Sequence, residues 1–302
     1  MSEIKELLAL TGFGNSLEGG YILAAHPDEM MAPNGWDPST TRRTFILRIN
    51  NKTTDLIEIV PAPLSEAWCS NNGTAYCTAV MQDFIYIFAD GQWTKETFST
   101  KTEFVNFVWG FSGQTPEEDT VYLCAEGGSL FVRQRGKWTE YSAPGGANDI
   151  FHLHGLSSSE VYLCGDNGLL LWDGQAISEV EGPEECNPSG ICVLSNQSII
   201  TVAKYMHTCS ESSGWNMIET EYEDFQAILT VKNEVFAGTS ESGVVRIFPL
   251  PPTQVTTEFD CLRLCPLGGG ILAAGTESCH LYDGKTWVRL QLPRYKTEDT
   301  LD

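Results

Sequence analysis

The chain is poor in positive charge and has no long apolar run. Lysine and arginine together number 18 against 40 aspartates and glutamates, which gives a formal net charge of −22 over 302 residues. Nucleic acid and anionic membrane surfaces repel such a protein, so both are excluded as partners, whereas a basic protein is attracted. The apolar runs, such as residues 199–203, are far shorter than the roughly 18 residues that a membrane-spanning helix requires.

Signals for export and for disulfides are also missing. The first residues, Met1-Ser-Glu-Ile-Lys-Glu-Leu-Leu, lack a basic segment followed by an apolar one, and no CxxC pair occurs. The ten cysteines lie mostly inside apolar, strand-like runs, for example at Cys77, Cys124 and Cys164. Small buried thiols fit this pattern better than a disulfide framework does. We therefore expect a cytoplasmic protein without disulfides.

Catalytic motifs are absent as well. The chain contains no HExxH, no Gly-x-Ser-x-Gly and no phosphate-binding P-loop. His152 and His154 alternate on a predicted strand, so both rings point to one face, and they form a metal site only if carboxylates converge on them. The alternative is that they are ordinary hydrogen-bonded residues. His26 with Asp28 and Glu29 is a second cluster of this kind; we expect no metal, no cofactor and no catalytic residue.

What the chain does contain is a repeat. Each copy has an apolar run ending in small residues, a polar turn, a second apolar run and, in the clearest cases, a hairpin of the type Asp-Gly-x-Trp. In such a hairpin the glycine supplies the positive φ of a tight turn, and the tryptophan begins the outer strand. The strongest copies span residues 121–131, 161–171 and 271–281, and weaker ones begin at Tyr21, Thr74, Ile200 and Val235. Seven copies recur about every 35–55 residues, which is the period of a four-stranded propeller blade.

These repeats predict one all-β domain over residues 1–302, a seven-bladed β-propeller of four-stranded antiparallel blades. The predicted blades lie near residues 4–60, 64–98, 105–141, 150–181, 190–221, 225–257 and 260–293. The first strand, residues 4–10, has a short helix as its alternative, and residues 294–302 are predicted to be a solvated tail. One set of small residues is expected to occupy equivalent buried strand positions: Cys77, Cys124, Cys164, Ala203, Ala237 and Ala274.

The units resemble the β-propeller superfamily, and their Asp-Gly-x-Trp hairpins are similar to those of bacterial propeller repeats. This resemblance covers nearly the whole chain. The Trp-Asp dipeptide of WD40 repeats occurs in repeat register once, at Trp172-Asp173, and the Ser-x-Asp-x-Gly-x-x-Trp box typical of sialidases is absent. Propellers host both enzymes and scaffolds, so this resemblance implies the fold without naming a function.

A long insertion interrupts the predicted blade 1 at residues 26–43. It carries Met30, Met31 and Trp36 in a loop, where burial in the core of the ring is not expected. Methionine and aromatic side chains in such a loop are candidate anchors for a partner. The alternative is that the loop folds back and caps its own blade.

The connections between blades are acidic. In an antiparallel four-stranded blade the fourth-to-first and second-to-third connections emerge on the same face, so these acids should share a face with the Met/Trp insertion. That face would be both acidic and locally apolar, as suits a basic protein. The alternative is a generally acidic surface without a special face. The acids chosen as candidate partner contacts are Glu184, Glu185, Glu221, Glu223 and Asp224.

These observations favour a non-catalytic protein-binding propeller that is a monomer before binding. By analogy with acidic inhibitors, the sharpest form of this hypothesis is a cytoplasmic immunity protein that neutralises a basic toxin or effector domain by covering its active site. Two alternatives remain open. One is a metal-dependent hydrolase or lyase with its site at the central channel, and the other is a scaffold subunit of a larger complex.

Overall fold

The computed structural model describes residues 5–32, 35–36, 43–101, 104–145, 148–166, 168–183, 187–194, 198–210, 213–256, 259–276 and 278–295. In these ranges the chain forms seven four-stranded antiparallel sheets, and two further strand pairs lie outside them. The helical content of the same residues comprises short 3-10 turns at Pro27–Glu29 and Glu126–Gly128. No helix in this part of the chain is long and apolar enough to cross a membrane.

The strands of the first half follow the predicted blades closely. Strand β1 (Lys5–Glu6) precedes blade 1, and β4 (Met31–Ala32) and β5 (Gly35–Trp36) form a small ribbon inside the insertion of that blade. The remaining strands are β2 (Leu8–Phe13), β3 (Tyr21–Ala25), β4 (Met31–Ala32), β5 (Gly35–Trp36), β6 (Thr44–Asn50) and β7 (Thr53–Val60) in blade 1; β8 (Leu64–Cys69), β9 (Ala75–Ala79), β10 (Phe84–Ala89) and β11 (Gln92–Thr97) in blade 2; and β12 (Val105–Phe111), β13 (Thr120–Ala125), β14 (Ser129–Gln134) and β15 (Lys137–Ser142) in blade 3.

The second half repeats the same pattern and ends in one short strand, β32, beyond blade 7. Its strands are β16 (Ile150–Ser157), β17 (Glu160–Gly165), β18 (Gly168–Trp172) and β19 (Ile177–Val180) in blade 4; β20 (Gly190–Val193), β21 (Ile199–Val202), β22 (Met206–Ser210) and β23 (Gly214–Ile218) in blade 5; β24 (Phe225–Val231), β25 (Glu234–Thr239), β26 (Gly243–Phe248) and β27 (Thr253–Thr256) in blade 6; and β28 (Arg263–Leu267), β29 (Gly270–Ala274), β30 (Cys279–Tyr282), β31 (Trp287–Arg289) and β32 (Arg294–Tyr295) at the end.

The predicted seven-bladed propeller is therefore confirmed. In every blade the strands pair in chain order, and the first strands of neighbouring blades pack against one another around a central channel. The second and third strands carry the core, because their apolar side chains fill the gaps between adjacent sheets. One blade has no partner for its two apolar faces, whereas a closed ring buries both of them.

The small-residue set is only partly equivalent. Cys124, Cys164 and Ala274 share one register, since each is buried and pairs with the corresponding residue of its first strand. Cys77 and Ala237 are also buried but lie one position away, and each packs towards the preceding blade. A one-residue shift along a strand turns the side chain to the opposite face of the sheet.

One member of that set, Ala203, was placed wrongly. It lies one residue beyond the end of β21 and is half-buried. The nine cysteines of the described ranges form no disulfide with one another, and Cys186 lies outside those ranges.

The two ends of the described chain close the ring. Residues 5–6 form a strand, and β1 pairs antiparallel with β32, Lys5 opposite Tyr295 and Glu6 opposite Arg294. The ring of Tyr295 lies 5.2 Å from that of Phe45 in blade 1. The predicted solvated tail was therefore wrong for residues 294–295, because backbone pairing and this aromatic contact hold them in place. Residues 296–302 lie outside the described ranges.

Candidate functional site

The first strands of the seven blades enclose a cavity of about 410 Å³ in the central channel. Because side chains alternate along a strand, each first strand offers the channel one residue near its start and another two positions further on. We call the face that carries the fourth-to-first and second-to-third connections the top face, and the opposite face the bottom face. The upper layer, towards the top face, contains Glu66, Phe107, His152, Ala227 and Arg263. The lower layer contains Thr11, Trp68, Trp109, His154, Cys192, Leu229 and Cys265.

Aromatic and imidazole rings form one wall of this cavity. In the upper layer His152 of blade 4 stacks on Phe107 of blade 3, with ring centroids 3.9 Å apart. In the lower layer Trp109 and His154 repeat the arrangement at 5.0 Å. Both histidines therefore lie on one face of their strand, as the alternation predicts, and each is packed against an aromatic ring of the preceding blade.

Trp68 continues the wall into blade 2. A Cβ on Gly110 would lie 2.9 Å from the Trp68 ring, so glycine at that position makes room for the indole. Trp68 also stacks on Tyr76 of its own blade, with ring centroids 5.7 Å apart. Tight packing of this kind holds the indole in the wall of the cavity.

Both channel histidines are neutral. Burial, together with the nearby His154 and Arg263, lowers the pKa of His152 to about 3. Burial alone lowers the pKa of His154 to about 4. The backbone N–H of Val193 donates to His154 Nδ1 at 3.1 Å, which places the ring proton of His154 on Nε2. His152 Nδ1 is buried and has no hydrogen-bond partner among the described residues. Within the described ranges no group of three histidine, cysteine or carboxylate side chains is arranged to hold a metal.

An ion pair stands on the other side of the cavity. Arg263 Nε of blade 7 lies 3.2 Å from Glu66 Oε1 of blade 2, so the pair spans the innermost strand of blade 1. The Glu66 side chain is 11% exposed and that of Arg263 is 49% exposed. Burial raises the pKa of Glu66, and the charge of Arg263 opposes this shift. The pair went unnoticed in the sequence, where the only signal was a carboxylate inside the apolar run Leu64-Ser-Glu-Ala-Trp-Cys.

The top face is much more acidic than the bottom face. Counting the described residues between strands, the top-face connections hold thirteen carboxylates and three basic side chains, and the bottom-face connections hold seven and four. The top-face acids are Asp28, Glu29, Asp83, Glu126, Asp149, Asp166, Glu181, Glu219, Glu221, Glu223, Asp224, Glu241 and Asp260. The excess of acids is therefore concentrated at the end of the channel where the Glu66–Arg263 pair lies.

The predicted acidic contacts fall into two groups. Glu221, Glu223 and Asp224 are exposed in the connection from blade 5 to blade 6, on the top face as expected. Glu184 and Glu185, in the connection from blade 4 to blade 5, lie outside the described residues.

The insertion in blade 1 behaves differently from the prediction for at least one side chain. Met30 is fully buried and packs against Leu10 and Ala25, so it caps its own blade and cannot anchor a partner. Met30 is buried because a flexible methionine side chain fills the nearest apolar gap when its loop is held against the sheet. An ion pair of 2.8 Å between Arg43 and Glu29 ties the two ends of the insertion together.

The rest of the insertion is described only in part. Backbone pairing joins β4 to β5, with Met31 opposite Trp36, and the positions of these two side chains lie outside the description. His26 is buried, with Nδ1 accepting from the Asp28 N–H at 3.2 Å and Nε2 3.0 Å from the carbonyl oxygen of Tyr295. That histidine therefore joins the insertion to the closing strand, a structural role that the pattern of His26, Asp28 and Glu29 in the sequence does not indicate.

Two exposed apolar side chains on the top face were missed. Met81, in the second-to-third connection of blade 2, is 52% exposed, and Tyr205, in the equivalent connection of blade 5, is 43% exposed. Large exposed apolar side chains among acids are candidate anchors for a protein partner. Their positions in second-to-third connections could have indicated exposure on the top face. Both connections are short, however, and lack the clear break in the repeat that marks the long insertion.

Comparison with known proteins supports the fold and nothing finer. No protein-family model and no curated protein sequence matches the chain. Among solved structures, the WD40 β-propeller domain of Doa1 is 10% identical, with a TM-score of 0.66 over 95% of this chain and 98% of that one. Virginiamycin B lyase from Staphylococcus aureus is 13% identical, with a TM-score of 0.62 over 78% of this chain and 85% of that one.

A third similar structure is an extracellular domain of a putative one-component system from B. thetaiotaomicron. It is 12% identical, with a TM-score of 0.64, and the match covers 94% of this chain and 40% of that chain. At such identities the likeness shows a shared propeller architecture. These structures include both a lyase and proteins for which no enzymatic activity is named. The fold alone therefore does not identify the function, which must be inferred from the site.

Proposed function

We propose that this propeller is a binding protein for a basic protein partner, which docks on the top face. The observation that carries the proposal is the unequal distribution of charge, with thirteen carboxylates against three basic side chains in the described top-face connections. A net charge of −22 alone would also serve solubility, whereas its concentration on one face attracts and orients a basic partner.

The apolar contribution to affinity comes from side chains between these acids. Tyr205 lies in the second-to-third connection of blade 5, and the following top-face connection, from blade 5 to blade 6, carries Glu221, Glu223 and Asp224. An apolar anchor and a charged rim therefore occur on consecutive top-face connections. Trp36 and Met31 of the insertion remain proposed anchors alongside it. In such an interface the rim charges speed the encounter, and the buried anchors slow dissociation.

The form of this activity that we favour is inhibition in the cytoplasm. A basic toxin or effector domain, with its active site covered by the top face, would be neutralised without any chemistry by the propeller. The alternative form is a scaffold that holds a basic subunit inside a larger complex. Inhibition of the isolated partner by one equivalent of propeller distinguishes the two.

The test starts with two variants of equal charge. One reverses three top-face acids (Glu221→Lys, Glu223→Lys and Asp224→Lys), and the matched control reverses three bottom-face acids (Glu18→Lys, Asp90→Lys and Glu117→Lys). Each is used with the unaltered protein as bait in the native host lysate. The proposal expects a basic protein that the unaltered protein and the control retain and that the top-face variant loses.

Binding kinetics of the purified pair then separate charge from anchor. The top-face variant should associate about tenfold more slowly at low salt and show a flatter salt dependence, because exposed charges act through steering. Tyr205→Ala should mainly speed dissociation, by about tenfold if the ring is a buried anchor. An acidic partner, a nucleic acid, or equal loss of binding in both charge variants would refute the proposal.

A further inference from the structure

The cavity in the channel has the size and the lining of a small-molecule site. Its volume of about 410 Å³ falls within the range of about 300–1,000 Å³ that is usual for ligand pockets. Aromatic residues, among them Trp68, Phe107 and Trp109, line it together with polar groups. Such a combination of apolar wall and few polar groups fixes the position and the orientation of a ligand.

The polar groups are incompletely used by the protein itself. His152 Nδ1 is buried without a partner among the described residues, a costly arrangement unless something else supplies a hydrogen bond. The Glu66–Arg263 pair is joined through Oε1 and Nε, and Arg263 Nη1 donates to the carbonyl of Leu262 at 3.3 Å. The closest contact of the pair is thus made by one carboxylate oxygen and one guanidinium nitrogen.

The ion pair selects against ligands of either single charge. An anion that approaches Arg263 also meets Glu66, and a cation that approaches Glu66 also meets Arg263, at a site where neither charge is fully hydrated. A ligand that carries both charges on neighbouring atoms satisfies both side chains at once. It also crosses the acidic top face without the repulsion that a net anion would meet.

The layers specify the rest of the ligand. The ion pair belongs to the upper layer, and Trp68 and Trp109 belong to the lower layer, two residues and therefore about 6.7 Å further along the strands. If the α-carbon that carries both charges lies in the upper layer, an aromatic ring attached to it through one methylene carbon reaches the two indoles of the lower layer. Offset stacking of aromatic rings favours this arrangement.

We propose that the central channel binds a free aromatic α-amino acid, with its carboxylate at Arg263, its ammonium at Glu66 and its ring between Trp68 and Trp109. The half-exposed Arg263 side chain marks the top-face end as the way in. This site is independent of the proposed docking of a basic protein, since it is formed by the channel wall alone.

A set of four probes tests the proposal on the unaltered full chain by isothermal titration calorimetry and ligand-observed NMR. L-phenylalanine carries both charges and a ring, L-phenylalaninamide lacks the anion, N-acetyl-L-phenylalanine lacks the cation, and L-alanine lacks the ring. L-phenylalanine should bind at least tenfold more tightly than each of the other three. The amide and the N-acetyl compound also represent the ends of a peptide, so they separate a free amino acid from a terminal residue of a partner.

Variants locate the binding. Trp68→Ala should weaken L-phenylalanine at least tenfold. Arg263→Gln should reduce the ratio of the affinity for L-phenylalanine to that for L-phenylalaninamide. Glu66→Gln should reduce the ratio of the affinity for L-phenylalanine to that for N-acetyl-L-phenylalanine. Arg48→Gln, at an exposed position on the third strand of blade 1, is the matched control and should leave the affinity for L-phenylalanine unchanged.

Several results would overturn the proposal. No binding of L-phenylalanine at millimolar concentration would do so, as would equal binding of L-alanine or of either singly charged compound. Unchanged affinity in folded Trp68→Ala protein would place the ligand elsewhere. Because no partner protein is present in these measurements, their failure leaves the proposed docking function untouched, and loss of docking leaves this site untouched.

Discussion

Replacing His152 with phenylalanine should remove a pH-dependent part of the protein's stability, and the size of that part can be calculated. The imidazole stacks on Phe107, and its burial, together with His154 and Arg263, lowers its pKa to about 3. In the unfolded chain a histidine has a pKa of about 6.5. Between these two values the unfolded chain binds a proton that the folded protein excludes, so the stability contributed by the neutral ring is present above pH 6.5 and is lost as the pH falls towards 3.

The expected magnitude follows from this difference. Each pH unit below 6.5 is worth about 1.4 kcal/mol for one proton, so the unaltered protein loses about 2 kcal/mol through His152 between pH 7 and pH 5. Phenylalanine keeps the stack and cannot titrate. The unfolding free energy of His152→Phe relative to the unaltered protein should therefore rise by about 2 kcal/mol from pH 7 to pH 5. At pH 7 the variant should be at least as stable, because it removes a buried nitrogen without a partner.

Urea denaturation at both pH values, followed by tryptophan fluorescence, measures this change. Phe107→Leu is the control, since it weakens the same stack without removing a titrating group, and its cost should be equal at pH 7 and pH 5. A difference between His152→Phe and the unaltered protein that stays constant across this interval would show that the folded protein accepts the proton. The inference that His152 stays neutral in the folded protein would then be wrong.

Two further predictions concern the ring. Asp119 is fully buried and accepts hydrogen bonds from the hydroxyls of Ser70 and Tyr76 at 2.7 and 2.9 Å. Asp119→Ala should therefore lower the free energy of unfolding, measured by thermal denaturation, by about 3 kcal/mol. A decrease below about 1 kcal/mol would contradict its role in joining blades 2 and 3. Tyr295→Ala should remove the contact with Phe45, lower stability by about 2 kcal/mol and speed hydrogen exchange in β1, the strand that pairs with β32, whereas unchanged exchange there would refute ring closure through this contact.

The number of blades and most of their bounds could be predicted because each blade carries its own local signal. Asp90 and Gly91, for example, both have positive φ and form the tight turn before Trp93. Such signals depend on a few consecutive residues. The ends of strands carry less information, and for that reason Ala203 was assigned to a strand that ends one residue earlier.

The candidate site was harder to predict because it depends on contacts between distant residues. Glu66 and Arg263 meet only because blades 2 and 7 both flank blade 1, and recognising the pair would require the register of both first strands to the residue. Met30 shows the same difficulty on a smaller scale. A methionine in a loop suits either an exposed anchor or a cap, and the gap beside Leu10 that decided between them is a property of the folded blade.

The closure of the ring through β1 and β32 determines where additional chain must leave the protein. Residue 5 leads into a first strand and residue 295 follows a fourth strand, so both ends emerge on the top face with every other connection between blades. A fusion or surface tether at either end would therefore crowd the acidic surface. Circular permutation at another blade boundary would not relieve this, since it moves the ends around the same rim. New ends in a turn between third and fourth strands, such as residues 135–136, would place the attachment on the opposite side and leave the acidic surface open.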